Sequence, residues 1–585
     1  MARRSRRGPA VVDQRVAPDA AAPTDVGAGV ITFSLETALW AALIGLAAAL
    51  RLASLDHLPL TVSESARSFS AWLVSQDAVP EGWPGDITAA VTSYLFRLFG
   101  AGDVLARLFP AIAGSALVAS FWLAAPYVGR GSALLAGVLV AFSPLAVHTS
   151  RSASAFALGA FLSIAMVVSL FAYLRGRQPL ALFAFSASFG LALASDPVAT
   201  STAIAVVAFL AIEAAWRRSP ALAEAFATFR SSSEHWLTAA LMLAAMFMLG
   251  ITHLGTQIDR LSLSGLRQWA AMFDLPRDGF PWHYQLGLLL GYEWPLLLAG
   301  GAAFLVLASR FLIRGGQALT LFQRFLLVWA TVATMVVAFA TRREAGQLLA
   351  LLLPFSLLAG LVIEEATAGL DWSLLRRWWP AVVLALGLIA YALVLLSQWA
   401  REGGRISDGE KAYLVLAFIG AVFVLSAGFL YLRRRGLTLA LPLAAALTLP
   451  FLVHSSLSIA FGDGTEFATD TRFSQRIGLF QEAVAQVAQE QGAPVVMDIE
   501  LRDALGWYLR DTRIVFGDPP EGWPLVTRPR AVPPQGFTAR GEPWRLAQGW
   551  YPADFEILPA WRWLAYRQPY GNLMNVDVQI FVPSP

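Results

Sequence analysis

The sequence predicts a mainly α-helical, polytopic membrane protein, with about thirteen transmembrane helices, two interfacial helices in the first outer loop and a small C-terminal α/β extracytoplasmic domain. Three observations predict the helical membrane part and the appended domain. Of the 585 residues, 57% are hydrophobic and only 14% charged, with a mean hydropathy of +0.58, well above the soluble range. Apolar runs of roughly 18 or more residues recur from Ile31 to about residue 455. After Phe461 the composition turns polar, and short runs of strand and helix character replace the long ones.

The ends and the composition exclude several classes. Met1-Ala-Arg-Arg-Ser-Arg-Arg7 and the Ala/Pro/Asp-rich run to Val30 have no apolar face to bury, so residues 1–30 read as a disordered cytoplasmic tail. The first apolar run is too long for the core of a signal peptide. With no cysteine there is no disulfide framework, thiolate metal site or cysteine nucleophile. A net charge of +3 gives no argument for nucleic acid.

Taken in order, the apolar runs lie near 32–52, 106–126, 131–149, 154–174, 178–195, 197–216, 236–255, 284–307, 322–341, 345–363, 379–398, 411–432 and 437–455. Ser195-Asp196-Pro197 and Thr341-Arg-Arg-Glu344 read as tight turns, because proline and clustered charge do not sit unpartnered in hydrocarbon. Alternate connections carry Arg130, Arg175/Arg177, Arg217/Arg218/Arg230, Arg310/Arg314/Arg324, Arg376/Arg377 and Arg433–Arg435. That bias places the N-terminus in the cytoplasm and everything after 455 outside, in a multi-pass protein of the plasma membrane. The transmembrane part covers 31–458 and the C-terminal domain 459–585.

Two outer loops are long. In 53–106, the spacing predicts a helix over Thr61–Gln76 carrying Glu64, then a turn at Glu81–Gly85. Asp86 follows as an N-cap, and a second amphipathic helix through Ile87, Val91 and Leu98 stops at Gly100. Thr61 stands three residues before Glu64, which is also the pattern of a capping box, so Glu64 reads either as a cleft carboxylate or as a cap. The loop 256–283, with Asp259, Trp269, Asp274, Asp278, Trp282 and His283, reads as an aromatic belt or a lid. Beyond it, Thr471–Gln491 and Leu501–Leu509 read as helices, and Pro494–Asp498, Arg513–Phe516 and Val576–Val582 as strands. No histidine, glycine-rich phosphate loop or metal-ligand spacing occurs there, so the domain reads as a lid or recognition module.

A resemblance enters on particular stretches. Gly-Ala-Gly-Asp-Val-Leu-Ala-Arg-Leu-Phe-Pro from Gly100 and Phe-Ser-Pro-Leu-Ala-Val-His-Thr-Ser-Arg from Phe142 follow a tail, a first span and an acidic loop motif. Together they resemble the polyprenyl-phosphate-sugar-dependent integral membrane glycosyltransferases of GT-C fold, which include protein mannosyltransferases and the aminoarabinose transferases of lipid A. Pro281-Trp-His-Tyr284, Tyr292-Glu293 and the stretch Trp561–Gly571 resemble most a bacterial and archaeal flippase-associated branch. The resemblance implies transfer of a sugar from a polyprenyl phosphate to a lipid, glycan or protein acceptor on the outer face of the bilayer. Those transferases bear an Asp-Glu pair in the first loop with the aspartate as base; here the pair reads Ser63-Glu64.

Such a reaction needs a carboxylate to take the acceptor's proton and cations to offset the leaving phosphate. The resemblance implies Glu64 as the catalytic residue, with Asp56 or Asp196 as other outer acids that could serve. Arg151, Arg342 and Arg343 are the candidates for the donor phosphate, since guanidinium forks match phosphate oxygens, against snorkelling to the interface. Arg107 reads as an anchor. Ser63, His283 and Glu293 complete the candidate substrate cleft. No metal site is expected; a divalent ion bridging phosphate and carboxylate would fit the chemistry, but nothing in the sequence demands one. The rival reading is a non-catalytic protein that binds a lipid-linked saccharide, and the missing aspartate at Ser63 is its support. A transporter is less well supported, because no paired broken spans or internal repeat occurs.

Overall fold

A computed structural model describes residues 34–584, apart from 79–84, 257–262, 275–282, 369–371, 402–408, 421–436 and a few shorter stretches. The tail, the turn at Glu81, Asp259, Asp278, Trp282 and most of the run 411–432 lie outside the described residues. Among those described, ten helices are long and apolar enough to cross a membrane, or eleven if one bent pair counts as a single span. The expected run 178–195 appears as the helix Pro179–Ser195, of 17 residues.

Two expected spans are broken, each for a local reason. The run 131–149 is two helices, Arg130–Ala141 and Pro144–Ser150, bent by 64°. Ser143 Oγ accepts from Ala146 N at 3.1 Å, and Pro144 occupies the first turn, where its missing N–H loses nothing, so a new helix starts there. The run 284–307 breaks at Glu293 into His283–Tyr292 and Trp294–Arg314, with Pro295 in the first turn of the second.

One end of the bundle carries ion pairs between helix ends: Arg130–Glu36 at 3.1 Å, Arg324–Glu213 at 2.7 Å, Arg310–Glu365 at 2.7 Å, and Arg177 with Glu224. The first loop, the turns at Asp196 and Arg342 and the C-terminal sheet gather at the opposite end. Between the two, the helix ending at Ala368 packs tightly on Arg130–Ala141. A Cβ at Gly360 would stand 2.3 Å from the carbonyl oxygen of Ser132, which is backbone and cannot swing away. Gly360→Val is therefore expected to destabilise the bundle by about 1–3 kcal/mol. A thermal unfolding midpoint in detergent equal to that of the unaltered protein would contradict this packing.

Beyond α1 (Leu35–Leu52), the first loop folds into α2 (Val62–Ser75) and α3 (Ile87–Phe99), before α4 (Asp103–Ser120) re-enters the bundle. The expected caps are present. Thr61 and Glu64 form a full capping box, Asp86 Oδ1 accepts from Ala89 N at 2.7 Å, and Gly100 ends α3 at φ 88°, a conformation that favours glycine. The C-terminal part is a seven-stranded mixed sheet in the order β1-β6-β7-β4-β2-β3, with β5 also on β7. The strands are β1 (Arg472–Phe473), β2 (Val495–Met497), β3 (Ile514–Phe516), β4 (Leu525–Thr527), β5 (Phe537–Ala539), β6 (Trp544–Trp550) and β7 (Leu573–Pro583). The helix expected over Thr471–Gln491 begins only at Ile477, because the preceding residues extend into β1; that expected over Leu501–Leu509 is one turn, Arg502–Leu505.

The sheet does not stand apart from the first loop. Phe69 of α2 and Phe96 of α3 share one apolar cluster with Phe473, Phe480 and Trp507, and the Phe96 and Trp507 rings stack at 5.2 Å. Backbone pairing reinforces it: Val62 N donates to Thr471 O at 2.8 Å, and Phe473 N to Leu60 O at 3.2 Å. The strand entering the C-terminal domain is thereby fixed against the start of α2, beside Glu64.

Candidate active site

The capping box at the start of α2 belongs to a buried ion pair. Glu64 Oε1 accepts from Arg107 Nε at 2.8 Å and Ala153 N at 2.9 Å; Oε2 accepts from Arg107 Nη2 at 2.7 Å and Thr61 N at 2.8 Å. Arg107 spends its remaining donors on the carbonyls of Leu55 and Leu58, each at 2.7 Å, and Pro59 at 3.1 Å. Burial pushes the Glu64 carboxyl up, but the Arg107 guanidinium and the two backbone donors outweigh it and hold the group at about 2. With its acceptor positions filled and so low a pKa, Glu64 has neither a lone pair nor the basicity for a hydroxyl proton. The geometry gives it the cap of α2 and the ion pair with Arg107. Arg107 anchors the loop 55–64 rather than the membrane surface.

Beside this pair lies a cavity of about 350 Å³ with both polar and apolar walls, enclosed by α2, the turn after Ser150, the segment Arg343–Gly346, Tyr284, the linker Phe467–Thr471 and, from the sheet, Trp550 and Met574. Its carboxylates besides Glu64 are Asp470 and Glu344, both exposed, and its cations are Arg67 and Arg343. Asp470 is held on both oxygens: Oδ2 accepts from Ser63 N at 3.2 Å and Oδ1 from Thr471 N at 2.7 Å. A carboxylate offers about four acceptor positions, so Asp470 keeps lone pairs for a guest. It stands against the backbone of Ser63, the position where the resembling transferases carry their aspartate.

The sequence-predicted residues fall into three groups. Ser63, Glu64 and Arg343 line the cavity. Arg151 lies in a small recess on the other side of Glu64, but it donates to Leu50 O at 3.0 Å, Ala53 O at 2.7 Å and Ser54 O at 3.0 Å, closing the C-terminal end of α1. The rest are elsewhere. Asp56 is exposed and outside the cavity lining, and Arg342 is outside it too, its backbone N donating to Met272 O at 3.0 Å. Asp196 is buried as the N-cap of Pro197–Ile212, accepting from Ala199 N at 3.0 Å. Glu293 is buried, accepting from Ser143 Oγ at 2.5 Å and Leu145 N at 3.0 Å, so it organises the bend before Pro144. His283 meets the Tyr551 hydroxyl at 3.0 Å. Asp196 and Glu293 carry local structure because a buried turn or helix start needs an acceptor for its N–H groups.

Sequence reasoning missed Asp470, Glu344, Arg67 and Arg472. Asp470 sits in the plain Thr-Asp-Thr of a linker, 407 residues from the Ser63 amide it accepts from, and no spacing could announce that contact. Among the described residues no cluster of three acidic or histidine side chains is placed to hold a metal ion.

No family model and no curated protein matches the chain. Solved structures do. The crystal structure of ArnT from Cupriavidus metallidurans bound to undecaprenyl phosphate is similar with a TM-score of 0.50 and 17% identity, over 82% of this chain and 86% of that one. The apo crystal structure of the same protein gives 0.51 and 16% identity, over 83% and 86%. ArnT is an aminoarabinose transferase of GT-C fold, and this chain has that fold.

Proposed function

From the shared GT-C architecture, we propose that this chain is a membrane glycosyltransferase that moves a sugar from a polyprenyl-phosphate donor to an acceptor hydroxyl on the extracytoplasmic face. The observation that carries the reading is the cavity between membrane helices and C-terminal sheet, where the open carboxylate of Asp470 shares a wall with Arg67 and Arg343. Undecaprenyl phosphate, bound by the similar transferase, is of the donor's lipid class. Arginine gathered at the opposite end of the bundle supports an extracytoplasmic position for the cavity.

In the proposed step the acceptor oxygen attacks the anomeric carbon while its proton passes to Asp470. The bond from that carbon to the phosphate oxygen breaks, and the electron pair leaves with the polyprenyl phosphate. Guanidinium groups offset the charge that grows on the departing oxygen. Glu64 takes no part in proton transfer; through Arg107 it fixes the loop that carries Ser63, and so fixes Asp470.

Full-length protein in detergent, given a synthetic polyprenyl-phosphate sugar and a hydroxyl acceptor, is expected to release polyprenyl phosphate and form the glycosylated acceptor. Tight donor binding without turnover would instead support a non-catalytic, flippase-associated binder, the reading favoured by the serine at position 63. Failure to bind the donor at all would remove both.

A further inference from the structure

The linker that delivers Asp470 also delivers a charge without a partner. In β1 the side chain of Phe473 enters the core shared with α2, and strand alternation turns Arg472 the other way, toward the bundle. There it lines a recess with Leu55, Leu58, His148, Arg151 and, at the end of the Leu443–Phe461 span, Ile459. Arg472 Nε is buried with no hydrogen-bond partner, and no carboxylate of the described residues forms an ion pair with the guanidinium.

The nearby buried acids are already committed. Glu64 belongs to Arg107 at 2.7 Å. Glu466 accepts from the Tyr292 hydroxyl at 2.6 Å and lies 3.6 Å from Arg567 Nη1. The other charges facing the recess are positive: Arg107, Arg151 and Arg472 itself. Burial, with the Arg107 charge beside it, lowers the grip of Arg472 on its proton, yet a guanidinium in a protein stays charged. Arg472 is half-buried with its Nε fully enclosed, and a charge drawn this far from water without a counterion is unfavourable and gains where an anion supplies the missing half.

The recess is small, about 20 Å³, which is room for one oxygen-sized group. It shares Glu64, His148 and Ser152 with the wall of the large cavity, while Leu55, Leu58, Ile459 and Ala460 line its membrane-helix side. We propose that Arg472 seats one oxygen of a phosphate ester whose lipid chain lies along the ends of α1 and Leu443–Phe461. The anion follows from the unpaired guanidinium alone; that it is a polyprenyl phosphate rests on the proposed transferase reading.

The test uses full-length protein in detergent with three probes: sugar-free polyprenyl phosphate, polyprenol without phosphate, and inorganic phosphate. Arg472→Gln is expected to weaken polyprenyl-phosphate binding by about 10- to 100-fold. Arg472→Lys should restore part of it, and neither change should alter polyprenol binding. Because the unaltered side chain is unpaired, Arg472→Gln should leave the unliganded melting temperature unchanged or raise it, while removing the rise that polyprenyl phosphate gives. A fall in the unliganded melting temperature would make Arg472 structural and overturn the proposal. Equal lipid affinity in both proteins overturns it, as does a site that takes inorganic phosphate but not the lipid phosphate. Arg472-dependent lipid binding in a protein that never turns over would sink the transferase reading and leave this inference standing.

Discussion

Asp470→Asn is expected to lower kcat for sugar transfer by about 10²- to 10⁴-fold, the usual weight of a positioned general base. The carboxamide has the same shape and can keep one of the two backbone contacts from Ser63 N and Thr471 N, so the linker should hold its place. What it loses is the ability to take a proton. The donor KM should change little, because the proposed phosphate contacts are made by guanidinium groups. Glu344→Gln is the matched control: Glu344 also lines the cavity, but no backbone donor among the described residues fixes its carboxylate, so most activity should remain. If the two variants behave the other way round, the base has been assigned to the wrong wall of the cavity.

Glu64→Gln should fail for a different reason. It leaves the Arg107 guanidinium buried among carbonyls with no countercharge, and breaking a buried pair in this way destabilises by about 3–5 kcal/mol. The expected signs are a lower melting temperature and protease access to residues 55–64, changes that Asp470→Asn should not produce. Acid should do reversibly what the substitution does permanently. The carboxyl is lowered from 4.5 to about 2 on folding, so the unfolded chain takes up the proton first as pH falls. The stabilisation, roughly 3 kcal/mol by linkage, is fully present above pH 4.5 and is lost as pH falls toward 2. A melting temperature of the unaltered protein that drops no more steeply over that window than that of Glu64→Gln would show that the pair does not titrate as described.

How much of this was legible depends on whether a feature is local. The caps at Thr61 and Asp86 and the stop at Gly100 could be read because each acts within one helical turn of itself. Apolar runs located most spans, since length and hydropathy suffice for that. The bends at Ser143-Pro144 and Glu293-Trp-Pro295 were hidden inside runs that hydropathy reads as continuous, though proline in a first helical turn was the available signal. The site was legible as a place and not as a division of labour. Glu64 could be singled out, but whether a carboxylate is a base or a strut depends on its neighbours. Here Arg107, 43 residues on, fills it together with the amides of Thr61 and Ala153. Arg151 was chosen for its charge and is occupied by the carbonyls that end α1, whereas Arg472, in a β-strand of the C-terminal part, has none to serve.

The most direct measurement uses the absence of native cysteine. Ser63→Cys places a single thiol on the cavity wall, beside Asp470. In intact cells a membrane-impermeant maleimide should label it from outside. In purified protein the polyprenyl-phosphate sugar should slow that labelling, and polyprenol should not. Labelling only after the membrane is opened, or at a rate the donor leaves untouched, would contradict a donor site in this cavity.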